Sequence, residues 1–234
     1  MNVVIETPDG PMDAYVARPA GGGPFPGVVV IQEAFGVNEH IMEVCDRLAA
    51  RGYAALAPEI YHRRARRLVV PYETPAPAMA ELALLTNDGL EVDLEAALAR
   101  LRGEDGVDPA RVGLLGFCVG GFAAFLGACR LDPAATVAFY GGGIVFAREG
   151  MALEPVLDEA DAIDTPLLAL FGSADTGIPM SDVEAIRKRL GVGCEVHVYD
   201  GAKHAFFNDR RPNYHPAAAA DAWTRTLDWF GRYL

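Results

Sequence analysis

The 234-residue sequence predicts an α/β fold: a mostly parallel central sheet with an N-terminal antiparallel hairpin and helices on both faces, in a single domain spanning residues 1–234. Two observations predict this fold. Short apolar runs without hydrophobic alternation recur along the chain, as expected for strands that are buried on both faces of a parallel sheet. Amphipathic helical patterns separate these runs, and the alternation of strand with helix is typical of a sheet that helices cover on both sides.

The N-terminal segment departs from that alternation. Residues 3–7 and 12–17 flank the turn Pro8-Asp9-Gly10-Pro11 and predict an antiparallel hairpin. The β-branched run 26–31 predicts the first buried strand. The remaining predicted elements are, in chain order, a helix around 41–48, a strand at 53–57, a helix around 90–101, strands at 111–115 and 136–140 with a helix around 122–129 between them, a strand at 166–171, a helix at 181–190, a strand at 194–199 and a helix from about 216. We expect the helix at 181–190 to begin with the capping box Ser181-Asp182-Val183-Glu184.

Residues 59–78 interrupt the regular pattern. They have no clear periodicity and contain Pro71, Pro75 and Pro77. Structureless stretches of this length in compact domains are often lids or binding loops. The run His62-Arg63-Arg64-Ala65-Arg66-Arg67 lies here, and two interpretations stay open: a clamp for an anion, or a solvated loop that balances an acidic surface.

Composition excludes several classes of protein. A chain with 51% hydrophobic and 22% charged residues is neither disordered nor collagen-like. The formal net charge of −12 repels phosphate, so we expect no nucleic-acid partner. The four cysteines are far apart and no histidine has metal-ligand spacing, so we expect no disulfide, no metal and no cofactor. Neither a membrane-spanning apolar run nor a secretory signal is evident, and we therefore expect a cytoplasmic protein. No exposed heptad or long apolar surface stripe is evident either, and we therefore expect a monomer.

A strand-to-helix turn carries the clearest chemical signal. The run Gly116-Phe117-Cys118-Val119-Gly120-Gly121 is a nucleophile-elbow pattern with cysteine in the serine position. Such a turn is sharp and strained, and side chains at Gly116 and Gly120 would collide in it. Cys118 then lies at a helix N-terminus, where the dipole favours thiolate, and the amide of Val119 is free to face an oxyanion. The alternative is a small cysteine buried in a tight turn.

Two further polar residues follow separate predicted strands. Asp175 comes after the strand at 166–171, and His204 comes after the strand at 194–199. The chain order Cys118, Asp175, His204 is the order in which α/β-hydrolases carry nucleophile, acid and base. The sequence therefore predicts a Cys-His-Asp triad. Asp200, at the end of the last strand, is the second candidate for the acid.

Three stretches resemble the dienelactone hydrolase family of the α/β-hydrolase fold: residues 31–37 (IQEAFGV), 115–121 (LGFCVGG) and 203–206 (KHAF). The likeness covers nearly the whole chain. It implies that Cys118 is the nucleophile, His204 the base and Asp175 the residue that orients the base.

The resemblance also implies roles for residues beyond the triad. Glu33 would take the thiol proton when substrate arrives, and the amides of Ala34 and Val119 would form the oxyanion hole. A carboxylate directly after a central strand faces the ligand crevice of an open sheet, which supports a role for Glu33 independently of the family. The alternative for Glu33 is a solvated loop carboxylate.

The substrates that the resemblance implies are small unsaturated lactones whose carboxylate is held by arginines. This sequence departs from the pattern, because Asn208 stands four residues after the histidine, where the best-known members carry arginine, and no arginine occurs around 73–87. We expect the substrate-binding residues to be Phe35, Arg63, Arg64 and Asn208. The other candidates to replace the missing arginines are Arg66, Arg67, Arg210 and Arg211.

The predicted reaction is hydrolysis of an activated ester or lactone through a thioester on Cys118, with that small molecule as the partner. A thiolate attacks activated carbonyls well, and a stabilised leaving group drives the intermediate forward. Two alternatives stay open. One is a general carboxylesterase or thioesterase with the same triad, and the other is a ligand-binding relative without catalysis, since fold does not imply function.

Overall fold

Residues 2–234 are described by a computed structural model of the protein. In this range eight strands form one sheet: β1 (Asn2–Thr7), β2 (Gly10–Ala17), β3 (Phe25–Ile31), β4 (Ala54–Pro58), β5 (Val107–Phe117), β6 (Thr136–Phe139), β7 (Leu167–Gly172) and β8 (Cys194–Tyr199). The α-helices of the same range are α1 (Glu39–Ala49), α2 (Ala76–Leu82), α3 (Asn87–Arg102), α4 (Val119–Arg130), α5 (Met180–Arg189) and α6 (Pro216–Tyr233), and a 3₁₀ helix spans Leu157–Ala162.

The sheet is parallel except at its N-terminal edge. Its strand order is β1-β2-β4-β3-β5-β6-β7-β8, with antiparallel pairing between β1, β2 and β4 and parallel pairing from β4 to β8. The predicted fold class, including the N-terminal hairpin, is thereby confirmed. Because crossovers between parallel strands are right-handed, the change of direction after β4 places α1 and α3 on opposite faces of the sheet.

The central strands are apolar on both faces because helices cover both. Residues 28–31 of β3 have no exposed surface, and residues 167–170 of β7 are buried as well. One core cluster extends from Ile5 in the hairpin to Leu234 at the end of the chain. A single domain spanning 1–234 stays a prediction. No helix within residues 2–234 is both long and apolar enough to cross a membrane.

Three local elements differ from the prediction. Residues 59–78 show no periodicity in the sequence, yet α2 begins inside this segment, at Ala76. The 3₁₀ helix at 157–162 has no counterpart in the sequence pattern. The predicted capping box at Ser181 is wrong. α5 begins at Met180, with Pro179 as an N-cap that provides no side-chain hydrogen bond, so Ser181 already lies inside the first turn. Its hydroxyl lies 3.3 Å from the carboxylate of the neighbouring Asp182 instead.

Candidate active site

Cys118 occupies the turn between β5 and α4 with a left-handed backbone, at a φ of 57°. A non-glycine residue in this region costs on the order of 1–3 kcal/mol and persists only where the surrounding structure enforces it. Close packing enforces it here. A Cβ atom on Gly116 would overlap the carbonyl of Gly120, and one on Gly120 would overlap the carbonyl of Ile31. The start of α4 therefore approaches the end of β3 closely, which brings the residues after β3 next to Cys118.

The residues predicted as a triad lie together at the carboxyl ends of β5, β7 and β8. His204 Nδ1 lies 2.6 Å from Asp175 Oδ2, and the His204 side chain also hydrogen-bonds the Cys118 sulfur. Asp175 is almost fully buried, and its Oδ1 accepts a hydrogen bond from the amide of Gly177 at 2.9 Å. Asp200, the second candidate for the acid, is exposed and accepts instead from the hydroxyl of Ser173 at 3.0 Å.

Contacts in this cluster shift the pKa values of the sulfur and the imidazole in opposite directions. Burial disfavours the Cys118 thiolate, but the charge and hydrogen bond of His204 outweigh it and lower the pKa of Cys118. Burial also disfavours a charged imidazole. The neighbouring Cys118 and the hydrogen bond to Asp175 nevertheless raise the pKa of His204 to about 10. The two groups together favour a thiolate beside an imidazolium.

Glu33 follows β3 closely and is buried beneath this cluster. Its Oε1 accepts from the hydroxyl of Tyr140 at 3.2 Å, and its Oε2 accepts from Asn208 Nδ2 at 2.8 Å. The amide of Asn208 also donates to the hydroxyl of Tyr72 at 2.9 Å. Because Asn208 is completely buried and engaged in these bonds, the structure places it beneath the site rather than facing a substrate, in contrast to the sequence-based expectation.

Tyr140 is a site residue that the sequence analysis did not identify. It has a left-handed φ of 39°, directly after β6, and no exposed surface. Its ring packs edge-on against the ring of His204 with centroids 5.1 Å apart, while its hydroxyl donates to Glu33. Tyr140 thus connects Glu33 to His204. Its position just before Gly141 at the carboxyl end of a buried strand is the signal that points to it.

Of the two residues predicted to form the oxyanion hole, Val119 contacts the sulfur, and Ala34 lies in the loop after β3. The amide of Val119, the first residue of α4, hydrogen-bonds the sulfur of Cys118. Ala34 is buried, and its carbonyl accepts from the hydroxyl of Tyr61 at 3.0 Å, which anchors the loop after β3. This anchoring orients the peptide groups next to the elbow. Binding of an oxyanion by these two amides stays a prediction.

A cleft opens beside the sulfur. Cys118 and Val119 form part of its lining, and the remaining lining residues are ones that the sequence did not single out. These are Leu82, Gly142, Gly143, Arg148, Met151 and Leu153. The cleft encloses about 430 Å³ of space, which includes part of its opening to solvent. Its walls are mainly apolar, and Arg148 provides a cation there.

The predicted substrate-binding arginines lie elsewhere. Arg63 donates to the buried Asp93 at 2.7 Å and to Asp9 at 2.9 Å, while Arg64 donates to Glu81 at 3.1 Å. Both arginines line a separate cleft beside α2 and α3. These contacts favour the interpretation of the arginine run as residues that balance acidic neighbours.

Two more residues of the sequence analysis have defined surroundings. His62 Nε2 lies 2.9 Å from Asp93 in a pair that solvent scarcely reaches. Phe35 is buried, with its ring 4.7 Å from that of Tyr72 and the guanidinium of Arg211 5.2 Å from its centre. Within residues 2–234, no group of three or more histidine, cysteine or acidic side chains is arranged to hold a metal ion.

Comparisons with known proteins agree with the fold and with the family that the sequence resembles. The model of the dienelactone hydrolase family matches residues 12–234. A protein of Methylorubrum extorquens with the provisional name carboxymethylenebutenolidase is 41% identical over 237 residues, which cover 99% of this chain and 80% of that protein. A similarly named Synechocystis protein is 42% identical, over 92% of this chain and 89% of its own.

Solved structures give the same result. The crystal structure of a provisional dienelactone hydrolase from Klebsiella pneumoniae aligns with a TM-score of 0.86 at 35% identity, over 100% of this chain and 99% of that one. A dienelactone hydrolase-like promiscuous phosphotriesterase from metagenomic libraries aligns with a TM-score of 0.78 at 26% identity, over 100% and 98% of the two chains. The chain therefore belongs to the dienelactone hydrolase family of the α/β-hydrolase fold, whose members are hydrolases of esters or lactones.

Proposed function

We propose that this hydrolase cleaves activated esters or lactones by acyl transfer to the sulfur of Cys118. One observation carries the proposal: His204 hydrogen-bonds Cys118 on one side and Asp175 on the other, at the strained turn between β5 and α4. A base that contacts both a nucleophile and an orienting acid is the arrangement that nucleophilic catalysis requires.

In the first half-reaction the Cys118 thiolate attacks the carbonyl carbon. A carbon–sulfur bond forms while the carbonyl electron pair moves to oxygen, and the amides of Ala34 and Val119 donate to the resulting oxyanion. Collapse of this intermediate breaks the bond to the leaving oxygen, which takes a proton from the His204 imidazolium. The product of this step is a thioester, and His204 is left neutral.

In the second half-reaction water replaces the sulfur. Neutral His204 removes a proton from the water as its oxygen attacks the thioester carbonyl. The tetrahedral intermediate then expels the Cys118 thiolate, releases the carboxylic acid and restores the imidazolium. Asp175 holds the imidazole in the orientation that serves both steps.

A sulfur nucleophile restricts the substrates. A free thiol has a pKa of about 8.5, so a thiolate is expelled from a tetrahedral intermediate more easily than an ordinary alkoxide. With an alkyl ester or a peptide the intermediate reverts to substrate. With an enol ester, an enol-lactone or an aryl ester the leaving group is itself stabilised, and collapse proceeds to the thioester. Activated esters and lactones are therefore the substrates that fit this chemistry.

The contacts of Glu33 favour a supporting role. The resemblance to the family implies that Glu33 takes the thiol proton, but both of its oxygens accept hydrogen bonds from Tyr140 and Asn208. We infer that His204 takes the thiol proton and that Glu33, through Tyr140, holds the imidazole in place.

Trapping of the acyl-enzyme tests the proposal. Rapid acid quenching of the reaction with 4-nitrophenyl acetate, followed by peptide mass spectrometry, is expected to find one acetyl group on Cys118. Cys118→Ala is expected to abolish turnover, and Cys194→Ala, in β8 away from the cleft, provides the matched control. Undiminished turnover by Cys118→Ala, or acetylation of another residue, would contradict the proposal.

A general carboxylesterase or thioesterase is the second candidate. The observation that favours it is Asn208, a buried amide at the position where the resemblance leads one to expect a substrate-binding arginine. Relative kcat/KM values for an enol-lactone, an aryl ester, an acyl thioester and a peptide distinguish the two. We expect the enol-lactone and the aryl ester to be the best substrates, and peptide cleavage of comparable efficiency would exclude both candidates. A monomeric state and a cytoplasmic location stay predictions.

A further inference from the structure

The backbone amide of Ala34 is a buried donor without a partner in the protein. Ala34 is almost fully buried, and within residues 2–234 no protein atom accepts a hydrogen bond from its N–H group. Nearly all buried backbone N–H groups in native proteins are paired, so an unpaired one calls for an explanation. Ala34 is one of the two residues whose amides are proposed to bind the oxyanion. An unpaired donor suits that role, provided that its direction is fixed before the substrate arrives.

Two side chains fix the peptide groups on either side of Ala34. Gln32 is buried, and its Nε2 donates to the carbonyl of Glu33 at 3.2 Å, where the amide of Gly36 also donates at 3.4 Å. This carbonyl shares a planar peptide group with the amide of Ala34, so these bonds set the direction in which that amide points. On the other side, the Tyr61 hydroxyl donates to the carbonyl of Ala34 at 3.0 Å.

These bonds also strengthen the amide as a donor. A hydrogen bond accepted by a peptide carbonyl polarises the same peptide group, and the N–H of that group becomes a better donor where the polarity is low. Gln32 acts in this way on the amide of Ala34. Burial raises the pKa of the Tyr61 hydroxyl, so at neutral pH this hydroxyl stays protonated and remains a donor.

A buried ion pair holds the turn that carries Tyr61. The two residues after Tyr61 both contact Asp93 of α3, which has no exposed surface. His62 Nε2 lies 2.9 Å from Asp93 Oδ1, and Arg63 Nη1 donates to Asp93 Oδ2 at 2.7 Å. The carbonyl of Tyr61 accepts from the amide of Arg64 at 3.0 Å, which closes the turn after β4. The first residues of the arginine run thereby anchor Tyr61.

We propose that Gln32 and Tyr61 are positioning residues of the oxyanion hole. They direct the amide of Ala34 toward the oxygen of the tetrahedral intermediate on Cys118, and the ion pair of Asp93 holds Tyr61 where it does so. Neither side chain needs to contact the substrate. This inference rests on the proposed function and explains how one of its two oxyanion donors is oriented in advance. Donors oriented in this way stabilise a transition state without reorganisation during the reaction.

The test separates reactions of Cys118 that form an oxyanion from one that does not. Hydrolysis of 4-nitrophenyl acetate passes through an oxyanion. Alkylation by iodoacetamide does not, because the sulfur displaces iodide from a saturated carbon. Both rates are measured for the wild-type protein, Tyr61→Phe, Gln32→Met and the control Tyr53→Phe. Tyr53 is another buried tyrosine, and it precedes β4, at the opposite end of that strand from Tyr61.

Binding of trifluoroacetone gives a readout that does not depend on turnover. The Cys118 thiolate adds to its carbonyl carbon, a carbon–sulfur bond forms, and the carbonyl electron pair moves to oxygen. The adduct therefore carries an oxyanion at the position that the tetrahedral intermediate would occupy. Its inhibition constant is measured for the same four proteins.

We expect Tyr61→Phe and Gln32→Met to lower kcat for the acetate ester about 10- to 100-fold, less than the loss of roughly 100- to 1000-fold that follows deletion of an oxyanion donor. The ratio kcat/KM should fall by the same factor, because the contact is made only in the transition state. The inhibition constant of trifluoroacetone should rise in parallel. Alkylation by iodoacetamide should keep its wild-type rate, and Tyr53→Phe should resemble the wild type in every measurement.

Equal losses of alkylation and hydrolysis would overturn the proposal, because they would place the effect on the thiolate or on the fold as a whole. Wild-type kcat in both Tyr61→Phe and Gln32→Met would also overturn it, and so would an equal loss in Tyr53→Phe. If Cys118→Ala hydrolyses the ester at the wild-type rate, the proposed function fails and this inference fails with it. Loss of hydrolysis in Cys118→Ala, with wild-type kinetics in the other two variants, refutes only the roles of Gln32 and Tyr61.

Discussion

Replacement of Asp175 by asparagine isolates the contribution of one charge to the site. The amide has nearly the same shape as the carboxyl group, and its Oδ1 retains the hydrogen bond from the amide of Gly177. The change is confined to the atom that faces His204. An oxygen that lies 2.6 Å from His204 Nδ1 is replaced by an NH₂ group, which cannot accept the imidazole N–H.

The expected loss follows from that contact. A hydrogen bond to a charged group contributes about 1.5–3 kcal/mol, and a buried donor left without a partner costs about 1–3 kcal/mol. With partial relaxation of the imidazole, we expect a net loss of about 2–4 kcal/mol in transition-state stabilisation. Each 1.36 kcal/mol is a factor of ten, so kcat/KM should fall by about 30- to 1000-fold.

The same substitution should change the pH dependence of kcat/KM. The hydrogen bond and charge of Asp175 help to raise the pKa of His204 to about 10, so their loss should move the alkaline limb of the kcat/KM profile to lower pH. Because the pKa is raised in the folded state, protonated His204 stabilises the fold fully below its ordinary pKa of about 6.5. That contribution is lost as pH rises through about 10. The loss of stability in Asp175→Asn should therefore be largest below pH 6.5.

The assay measures kcat/KM for 4-nitrophenyl acetate from about pH 5 to about pH 10.5, the range in which the thiol and the imidazole titrate. The rate of Cys118 alkylation by iodoacetamide is measured over the same range. Asp200→Asn is the matched control, because Asp200 lies on the neighbouring loop and hydrogen-bonds Ser173. Wild-type kinetics in Asp175→Asn, or an equal loss in Asp200→Asn, would refute the assignment of Asp175 to His204.

Two further predictions concern the structure that supports the site. Gly116→Ala should lower the free energy of unfolding, measured in urea, by about 3 kcal/mol or more, because the added methyl group would overlap the backbone of Gly120. The control is Gly191→Ala, where a Cβ meets nothing within 4 Å, and it should change the free energy of unfolding by less than about 0.5 kcal/mol. Equal effects of the two substitutions would contradict the packing argument. Asp93→Ala should cost about 3–5 kcal/mol, because it leaves buried partners unpaired, whereas Asp161→Ala, which breaks an exposed ion pair, should cost less than about 1 kcal/mol. A small loss in Asp93→Ala would show that the buried pair contributes little.

The elements that sequence predicts well are those that arise from local patterns. The hairpin follows from a turn between two short strands, and the buried strands follow from unbroken β-branched runs. The elbow at Cys118 also has a local cause, since Gly116 and Gly120 are needed by the turn itself. Strand order then brings Asp175 and His204 to the same edge, because the carboxyl ends of parallel strands lie together.

The errors and omissions have a different origin. The capping box at Ser181 failed because the helix starts one residue earlier, at Met180, and a cap depends on where a helix begins. Asn208 stands where the best-known members of the family carry arginine, but whether its amide faces a substrate or Glu33 depends on packing between residues 175 positions apart. Arg148 has no local pattern that distinguishes it from other surface arginines.

The sequence by itself determined the fold class, the strained turn at Cys118 and the chain order of Cys118, Asp175 and His204, because each depends on residue type at short spacing. Only the tertiary structure decided which partners the polar side chains have. Asp200 hydrogen-bonds Ser173, and Glu33 hydrogen-bonds Tyr140 and Asn208. The reason is that a hydrogen bond or an ion pair depends on distances of a few ångströms between loops that are remote in sequence, and the packing of the whole sheet sets those distances.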